Sequence, residues 1–292
     1  MHITQEFLWL VAARRLAWAG TALFASVGST VLQAGPYDTA VLADDPFAYY
    51  RFEEATGTVA ANAGSSGAGF NGSYVGGYSL GQAGYGNLGS AVAFNGINAY
   101  VQALQSVGAG SFTVEGWIKT TANSLSGTYA YQGNGTVWSD VGGGANDWTV
   151  SILNNRLAVF TGDTNTGMNA GPVLNDGAWH HFAVARNAGV ATSLYVDGIS
   201  VGSFAAGSAA LTANPVIRIG ANTLDGRYFN GLLDEVAIYQ TALNGMQILS
   251  HYQAATEVVP PGESVGAHDS AIGLLVMGLA GLIGFRRWGG KR

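Results

Sequence analysis

Apolar and polar residues alternate along the middle of the chain, in short runs bounded by Gly, Asn, Asp or Pro. A period of two predicts β-strands that bury one face, because successive side chains of a strand point to opposite sides. Runs this short, with turn residues at both ends, predict strands rather than helices. The runs are residues 48–52, 91–94, 112–118, 148–152, 157–160, 179–185 and 216–219.

One turn and one helix complete this pattern. Asp197-Gly198 lies between two alternating segments and predicts a two-residue hairpin, because both turn positions must tolerate a positive φ. Residues 244–252 are the single segment of the strand-rich region that predicts a helix. Many short strands with close turns predict an all-β fold, a two-sheet antiparallel sandwich or jelly roll.

The N-terminal segment is apolar without alternation. Arg14-Arg15 precede an apolar run, and small residues continue to Ala34. A charged segment, a short apolar run and small residues, in that order, predict a helical secretory signal peptide over residues 1–34.

The C-terminal segment is also apolar. The run 271–285 is followed at once by Arg286-Arg287. A helix of that length spans roughly 22 Å, whereas a membrane core is roughly 30 Å thick. We therefore expect a short hydrophobic sorting or anchor helix with an Arg cluster at residues 270–292, after a linker at 255–269.

The two ends resemble those of PEP-CTERM-type exported proteins of Gram-negative bacteria, which pair a signal peptide with a Pro-containing motif, a short helix and an Arg cluster. Here Val259-Pro260-Pro261-Gly262 stands where Val-Pro-Glu-Pro is usual, closer to the Val-Pro-Asp-Ser-Gly-like variants. The resemblance implies an exosortase-like membrane protease as partner, membrane association through the C-terminal helix before processing, and release toward the cell surface or extracellular polymer. The alternative is an ordinary single-helix membrane anchor.

Composition and charge limit the classes of function. The chain has no cysteine among its 292 residues, so a large core and not disulfides must hold it together. Its formal net charge is −6, and 17 of its 18 acidic residues but 6 of its 12 basic ones lie between the apolar ends. Such an acidic region repels phosphate backbones, so we expect no nucleic-acid partner.

Several segments resemble the laminin-G-like, concanavalin A-like jelly-roll family, in that family's order. They are residues 48–54, 93–101, 112–118, 176–184, 194–201 and 231–239, followed by the helical 242–252. The resemblance covers about residues 38–254 and implies two curved antiparallel sheets packed face to face, with the first and last strands adjacent. This architecture carries lectins, glucanases and adhesive modules, so it does not decide the function.

The sequence lacks the carboxylate pattern of a glycosidase of this fold, which is Glu-x-Asp-x-x-Glu on one strand. Glu53-Glu54 and Asp234-Glu235 are adjacent pairs whose side chains we expect on opposite strand faces, and Glu115 stands alone among apolar neighbours. His180-His181 likewise points to opposite faces, which argues against one shared metal ion. We expect a protein that is not an enzyme, with a divergent glycoside hydrolase as an alternative.

Calcium is the candidate cofactor that the laminin-G-like resemblance implies. Such sandwiches often bind one Ca²⁺ near the rim, and the polar residues at family-like positions are Asn98, Asp234 and Glu235. The alternative is that Asp234 and Glu235 accept hydrogen bonds from backbone amides where the first and last strands meet. No Asp-x-Asp-x-Asp-Gly loop of the EF-hand type occurs.

Aromatic residues in a Gly-, Ser- and Asn-rich segment, residues 124–148, predict a binding surface. Aromatic rings in polar loops offer flat faces to sugar rings or to a protein partner, and nearby carboxylates and amides accept hydrogen bonds from hydroxyls. The alternative for Trp138 and Trp148 is that they begin strands and fill the core. The candidate ligand-binding residues are Tyr129, Tyr131, Trp138, Asp140, Asn146 and Asp147.

Together these features predict an exported, non-catalytic laminin-G-like module. We expect it to bind an extracellular glycan or a surface protein at the cell surface or in extracellular polymer. The alternative is an inert structural component of that polymer, with no specific ligand.

Overall fold

The part of the chain that the structure describes contains eighteen strands, two α-helices and two single-turn 3₁₀ helices, Gly67–Phe70 and Ala130–Gln132. The computed structural model describes residues 36–86, 88–143 and 146–256, so the predicted signal peptide and the predicted C-terminal helix lie outside the described residues. Within the described residues, no helix is both long and apolar enough to cross a membrane.

The α-helices are α1 (Pro36–Ala43) and α2 (Gly245–Thr256). The strands are β1 (Ala48–Tyr50), β2 (Val59–Ala60), β3 (Gly72–Val75), β4 (Ser79–Ala83), β5 (Ser90–Asn95), β6 (Tyr100–Leu104), β7 (Phe112–Lys119), β8 (Asn134–Ser139), β9 (Trp148–Leu153), β10 (Arg156–Thr161), β11 (Thr166–Ala170), β12 (Trp179–Asn187), β13 (Ala191–Val196), β14 (Ile199–Ala205), β15 (Val216–Ile219), β16 (Ala221–Asn222), β17 (Arg227–Tyr228) and β18 (Asn230–Tyr239).

The strands form two large antiparallel sheets. Sheet A has the order β14-β13-β12-β7-β18-β5-β4, with β1 also paired to β18, and sheet B has the order β11-β10-β9-β8-β15-β6-β3-β2. The short strands β16 and β17 pair with each other as a separate hairpin. The first and last strands are adjacent, since Ala48 of β1 pairs with Ile238 of β18. The all-β, two-sheet antiparallel sandwich predicted from the sequence is therefore confirmed.

The main core lies between the two sheets. Alternate residues of each strand enter it, for example Val150 and Ile152 from β9 and Val184 from β12. Trp148 is fully buried in this core, where its ring centroid lies 5.1 Å from that of Phe112. Burial of such side chains stabilises the fold by roughly 1.5–3 kcal/mol each.

A second apolar layer covers the outer face of sheet A. Trp117 and Tyr239 point away from the main core and pack with Tyr37 of α1 and Ile248 of α2. Every residue of β7 except Lys119 is buried as a consequence. A strand covered on both faces carries a nearly continuous apolar run, which explains the sequence of this strand.

The prediction of a single helix over 244–252 was incomplete. The observed α2 extends to Thr256, so the predicted linker from residue 255 begins inside the helix. The sequence analysis missed α1, which has eight residues and begins with a proline, a residue tolerated in a first helical turn. So short a helix is stable through packing, and its Tyr37 and Val41 are both fully buried.

The predicted Asp-Gly hairpin is confirmed. Asp197 and Gly198 have φ values of 51° and 75°, and they join β13 to β14. The Asp197 carboxylate accepts a hydrogen bond from the backbone N–H of His181 at 2.9 Å, and its other oxygen lies 2.9 Å from Nδ1 of His180. His180 faces this turn, whereas His181 is fully buried on the other side of the strand.

Candidate binding cleft

A cleft of about 530 Å³ lies on the face of sheet B that points away from sheet A. Phe160 of β10 forms part of it, and the neighbouring Val159 enters the core between the sheets, so Phe160 belongs to the outer face. Tyr129, which precedes the single-turn 3₁₀ helix Ala130–Gln132 before β8, and Tyr131 within that turn also line it. Leu224 and Asp225 from the β16–β17 turn, Asp140 and Gly142–Gly143 after β8, and Asn165 before β11 complete the lining.

Two tyrosines present an aromatic surface in this cleft. The rings of Tyr129 and Tyr131 are stacked with centroids 5.5 Å apart and planes 6° apart. Tyr131 also meets the edge of Phe160 at 5.6 Å, and Tyr129 is 49% exposed. The side-chain oxygen of Gln132 accepts hydrogen bonds from the backbone of Thr128 and Tyr129, at 2.8 and 3.0 Å, which holds the turn in shape.

The β16–β17 hairpin is fastened to the same turn. The amide of Asn222 donates to the Tyr131 carbonyl at 3.2 Å, and Arg227 donates to that carbonyl as well. The Asn222 oxygen accepts from the backbone of Leu224 and Asp225, and Arg227 lies 3.1 Å from the Asp225 carboxylate. Backbone and side-chain hydrogen bonds therefore connect the two segments that line the cleft.

Two carboxyl groups come from the segment that follows β8, Asp140 in the lining of the cleft and Asp147 in the interior. Asp147 is fully buried; one oxygen accepts from the backbone N–H of Val141 at 2.8 Å, and the other has no hydrogen-bond partner in the described part of the chain. Burial, followed by the hydrogen bond and charge of Asp147 and the charge of Asp225, raises the pKa of Asp140 to about 8.

Only some of the six predicted ligand-binding residues line the cleft. Tyr129, Tyr131 and Asp140 line the cleft, whereas Asp147 is fully buried and does not line it. Asn146 is exposed, and it is not among the residues that line the cleft.

Trp138 is not a surface residue, which corrects that prediction. It is fully buried in β8, in register with Arg218 of β15 and Thr149 of β9. Trp148 is also buried, so for both residues the alternative of an indole inside the protein is right. Trp148 begins β9, which the alternation predicted, whereas Trp138 is the fifth residue of β8, a strand that the Gly- and Asn-rich composition of segment 124–148 hid.

The sequence analysis missed several cleft residues. Phe160, Asn165, Leu224 and Asp225 come from segments outside the aromatic-rich stretch. The pair Asp225-Gly226, with φ of 66° at the glycine, was a turn signal that could have indicated the β16–β17 hairpin. No local sequence pattern indicates that this hairpin lies beside residues 129–131.

Glu115 is not isolated, contrary to the sequence prediction. Its carboxylate lies 2.9 Å from Nδ1 of His251 and 3.2 Å from Nε2 of His181, and it accepts a hydrogen bond from the hydroxyl of Tyr239. The second nitrogen of His251 lies 3.0 Å from the Asp44 carboxylate. The sequence prediction failed because His251 comes from α2, which is distant along the chain.

This cluster shifts the pKa values of its members. Burial would raise the pKa of Glu115, but the hydrogen bonds and charges of His181 and His251 outweigh it and hold that pKa well below its usual range. Burial opposes the protonated form of His251, but the hydrogen bond and charge of Glu115, together with Asp44, raise its pKa.

The candidate calcium ligands do not come together as predicted. Asn98 lies in the β5–β6 turn and accepts from the backbone of Gly77 at 3.0 Å. Asp234 lies four residues from the strand position that pairs with Asn95, a separation of roughly 13 Å along β18. Within the described residues, no group of three or more His, Asp or Glu side chains is arranged to hold a metal ion.

Asp234 and Glu235 are both fully buried, although neighbours on a regular strand point to opposite sides. A bulge between Asp234 and Ala237, with φ of 52° at Glu235, breaks the alternation that the sequence analysis assumed. Burial and the charge of Glu235 raise the pKa of Asp234 well above its usual value. Burial also raises the pKa of Glu235 to about 8, although the charge of Arg51 opposes this shift.

A two-sheet sandwich with an aromatic cleft on an outer sheet face is a lectin-like architecture. A family model described as the concanavalin A-like lectin/glucanases superfamily, of the laminin-G type, matches residues 94–249, slightly more than half of the 292 residues. The chain belongs to this superfamily, and the laminin-G-like resemblance in its sequence is confirmed.

One curated relative is a much longer protein than this chain. The chain is 30% identical over 142 residues to adhesion G-protein coupled receptor V1 of Danio rerio. That match covers 47% of this chain and 2% of the receptor, so the chain spans a small part of this relative.

Solved structures share the fold at low identity. Domain 4 of AbnA, a GH43 extracellular arabinanase from Geobacillus stearothermophilus, is 20% identical with a TM-score of 0.52, over 72% of this chain and 98% of that domain. The binding domain of Paraclostridial Mosquitocidal Protein 1 is 17% identical with a TM-score of 0.54, over 72% of this chain and 52% of that chain. A botulinum neurotoxin type C structure is 13% identical with a TM-score of 0.51, over 74% and 53% of the two chains.

Proposed function

We propose that this chain is a non-catalytic module that binds an extracellular glycan across Tyr129 and Tyr131. The observation that carries the proposal is the stacked, partly exposed tyrosine pair inside a cleft that also contains carboxylate and amide acceptors. Aromatic faces pack on the C–H faces of sugar rings, and a few placed polar groups orient the hydroxyls. Asp140 and Asn165 are polar groups of this kind in the lining.

The proteins with similar structures support a glycan over a protein partner. The AbnA domain was solved in complex with arabinotriose. Botulinum neurotoxin type C depends on interaction with two ganglioside molecules to enter cells. A glycan ligand for this chain is an inference from its own cleft that agrees with these properties of its relatives.

This cleft is less suited to glycoside hydrolysis than to glycan binding. Retaining glycosidases need two carboxyl groups about 5–5.5 Å apart, and inverting enzymes need a wider gap. Of the carboxyl groups near Asp140, that of Asp147 is fully buried and does not line the cleft, and that of Asp225 pairs with Arg227. Incubation with common polysaccharides should therefore release no reducing sugar, and release that disappears in Asp140→Asn would revive the hydrolase.

We also propose export to the cell surface or extracellular polymer, with an exosortase-like protease as the sorting partner. This part of the proposal depends on the sequence patterns of residues 1–34 and 259–292. Mass spectrometry of protein from the native host tests it. A mature mass that lacks residues beyond about Pro260 supports sorting and release, whereas an intact C-terminus indicates a membrane-tethered module.

We also propose that Asp234 and Glu235 bind Ca²⁺, and we no longer include Asn98 among the ligands. One oxygen of Asp234 is buried with no hydrogen-bond partner in the described part of the chain, and carboxylate oxygens are the ligands that Ca²⁺ prefers. Calcium that binds the folded state raises Tm. A Tm rise with CaCl₂ that is lost in Asp234→Asn supports the site, and an unchanged Tm at millimolar CaCl₂ removes it.

A glycan array with four proteins tests the main proposal. Wild type and Tyr131→Phe, which keeps the ring, should bind the same glycans, and Tyr131→Ala should weaken binding at least about tenfold. Tyr78→Ala is the matched control, because Tyr78 stacks on Tyr74 at 4.7 Å but does not line the cleft. Absence of any glycan signal for folded wild type would favour the inert structural component.

A further inference from the structure

A second cavity, of about 190 Å³, lies at the rim of the sandwich. Its apolar lining includes Ile152 and Phe229, which are buried members of the core between the sheets. Its other lining residues come from the β5–β6 turn, the segment after β7, the first residue of β8 and the segment that leads into β18. The cavity therefore opens where strands of both sheets begin or end, and we call it the rim cavity.

The lining of the rim cavity contains no charged side chain among the described residues. It combines amides and hydroxyls with the half-buried ring of Tyr228. Amide and hydroxyl groups donate to and accept from the hydroxyl groups of a sugar, and an aromatic ring packs on its C–H face. The polar side chains are those of Thr120, Asn123, Ser124, Asn134 and Asn230.

Asn230 has a side chain that the fold leaves unused. Its backbone carbonyl accepts a hydrogen bond from the Thr120 hydroxyl at 2.6 Å, whereas its exposed side-chain amide has no hydrogen-bond partner among the described residues. Gly96 provides the space for this side chain, since a Cβ at Gly96 would lie 2.7 Å from the Cβ of Asn230. An amide without a partner in the lining of a cavity is available to a ligand.

The rim cavity is adjacent to the cleft that contains Tyr131. Residues 131–134 and residues 225–228 each lead from the lining of the cleft to the lining of the rim cavity. Three peptide units separate the two linings in each segment, so the Cα atoms at the two ends are at most about 11 Å apart. The segments are also joined to each other, because the Asn134 amide donates to the Tyr228 carbonyl at 2.8 Å.

We propose that the rim cavity is a second sugar subsite, and that the protein binds a linear, uncharged oligosaccharide that packs on Tyr131 and continues to Asn230. This inference depends on the proposed glycan-binding function and names the class of glycan. Among the described residues, no basic side chain lines either cavity. Arg227, which stands between the two linings in the chain, already pairs with Asp225 at 3.1 Å. An acidic sugar would therefore have no free cation to compensate its loss of hydration.

A chain-length series with the full chain tests the inference. The probes are the dimers, trimers and hexamers of β-1,4-linked glucose, β-1,3-linked glucose and α-1,5-linked arabinose, titrated by calorimetry. In a series that binds, the hexamer should bind at least about tenfold more tightly than the trimer, because it makes additional hydrogen bonds in the rim cavity. One hexamer should bind per protein molecule. Two bound hexamers would contradict a ligand that continues from one cavity into the other.

Asn230→Ala tests whether the additional affinity comes from the rim cavity. This variant should reduce the ratio of hexamer to trimer affinity from about tenfold to about twofold. Its Tm should stay unchanged, because the removed amide makes no hydrogen bond within the described fold. Gln253→Ala is the matched control, since it removes the same amide group from an exposed residue of α2 that lines neither cavity.

The outcomes separate this inference from the proposed function. Trimer binding that is lost in Tyr131→Ala, without tighter binding of the hexamer, refutes the second subsite and leaves the glycan-binding function intact. A hexamer preference that persists in Asn230→Ala also refutes the second subsite. Equal binding of the α-1,4-linked hexamer of galacturonic acid refutes the uncharged class, and failure of every probe to bind refutes both proposals.

Discussion

Nδ1 of His251 lies 2.9 Å from a carboxylate oxygen of Glu115, although the two residues are 136 positions apart. Glu115 belongs to the central strand β7 of sheet A, and His251 belongs to α2. The other nitrogen of His251 lies 3.0 Å from Asp44, just after α1. One imidazole therefore connects both terminal helices to the middle of a sheet.

Loss of this imidazole should destabilise the fold. His251→Asn leaves Glu115 fully buried with the His181 imidazole as its remaining partner at 3.2 Å, and breaking a buried ion pair costs about 3 kcal/mol or more. Urea denaturation monitored by tryptophan fluorescence gives the change in the free energy of unfolding. His180→Asn is the matched control, because its imidazole contacts two partly exposed carboxylates and should contribute less than about 1 kcal/mol. Equal effects of the two variants would contradict the role of His251.

The same pair predicts how stability depends on pH. The pKa of His251 is raised from 6.5, so its contribution is present below pH 6.5 and is lost as pH rises through the folded-state value. The pKa of Glu115 is lowered from 4.5, so its contribution is present above pH 4.5 and is lost as pH falls through the folded-state value. The stability difference between wild type and a Glu115→Gln/His251→Asn double variant should be largest between about pH 4.5 and 6.5. A difference that is constant from pH 3 to 9 would refute the ionised pair.

The hairpin turn predicts a steric effect. Gly198→Ala adds a Cβ at φ of 75°, 3.0 Å from a side-chain carbon of Leu249 and 3.1 Å from Cβ of Tyr252. We expect a loss of about 2–3 kcal/mol, of which backbone strain accounts for about 1–2 kcal/mol. Gly81→Ala isolates the strain, since Gly81 has φ of 66° and no atoms near the added Cβ. Thermal denaturation of both variants should show a larger loss for Gly198→Ala.

Substitutions of Trp138 and of Tyr131 should separate effects on stability from effects on glycan binding. Trp138→Ala should cost about 3–5 kcal/mol of stability, because the side chain is fully buried. Trp138→Phe should retain glycan affinity per folded molecule, whereas Tyr131→Ala should lose affinity and keep most of its stability. Calorimetric titration with a glycan identified on the array measures the affinities. A Trp138→Phe variant that folds but does not bind would place the indole in the binding site after all.

The sequence predicted the strands better than the helices. Period-two alternation identified the centres of β5, β7, β9, β10, β12 and β15, because burial of one strand face determines which residue types are tolerated there. It missed α1, in which Tyr37 and Val41 are buried by contacts from elsewhere in the fold. The eight residues of α1 begin with a proline and are too few to show a distinct helical pattern of their own.

The polar residues show where local reasoning stops. The argument that Asp234 and Glu235 point to opposite faces assumed a regular strand, and the bulge at Glu235 removes that assumption. The argument that Glu115 stands alone considered its neighbours along β7 and not the helix that covers them. Glu235 and Glu115 also each contact a residue more than a hundred positions away, Tyr49 and His251 respectively.

By itself, the sequence determined the all-β class, the strand faces, the Asp-Gly turn and the aromatic candidates Tyr129 and Tyr131, since each depends on residues close together in the chain. The tertiary structure alone decided that Trp138 is buried and that Asp140, Phe160 and Asp225 meet those tyrosines. Strand order and register bring distant segments together, and the energy of those contacts is shared among many residues. A pattern of period two specifies which side of a strand is buried, but not which strand lies beside it.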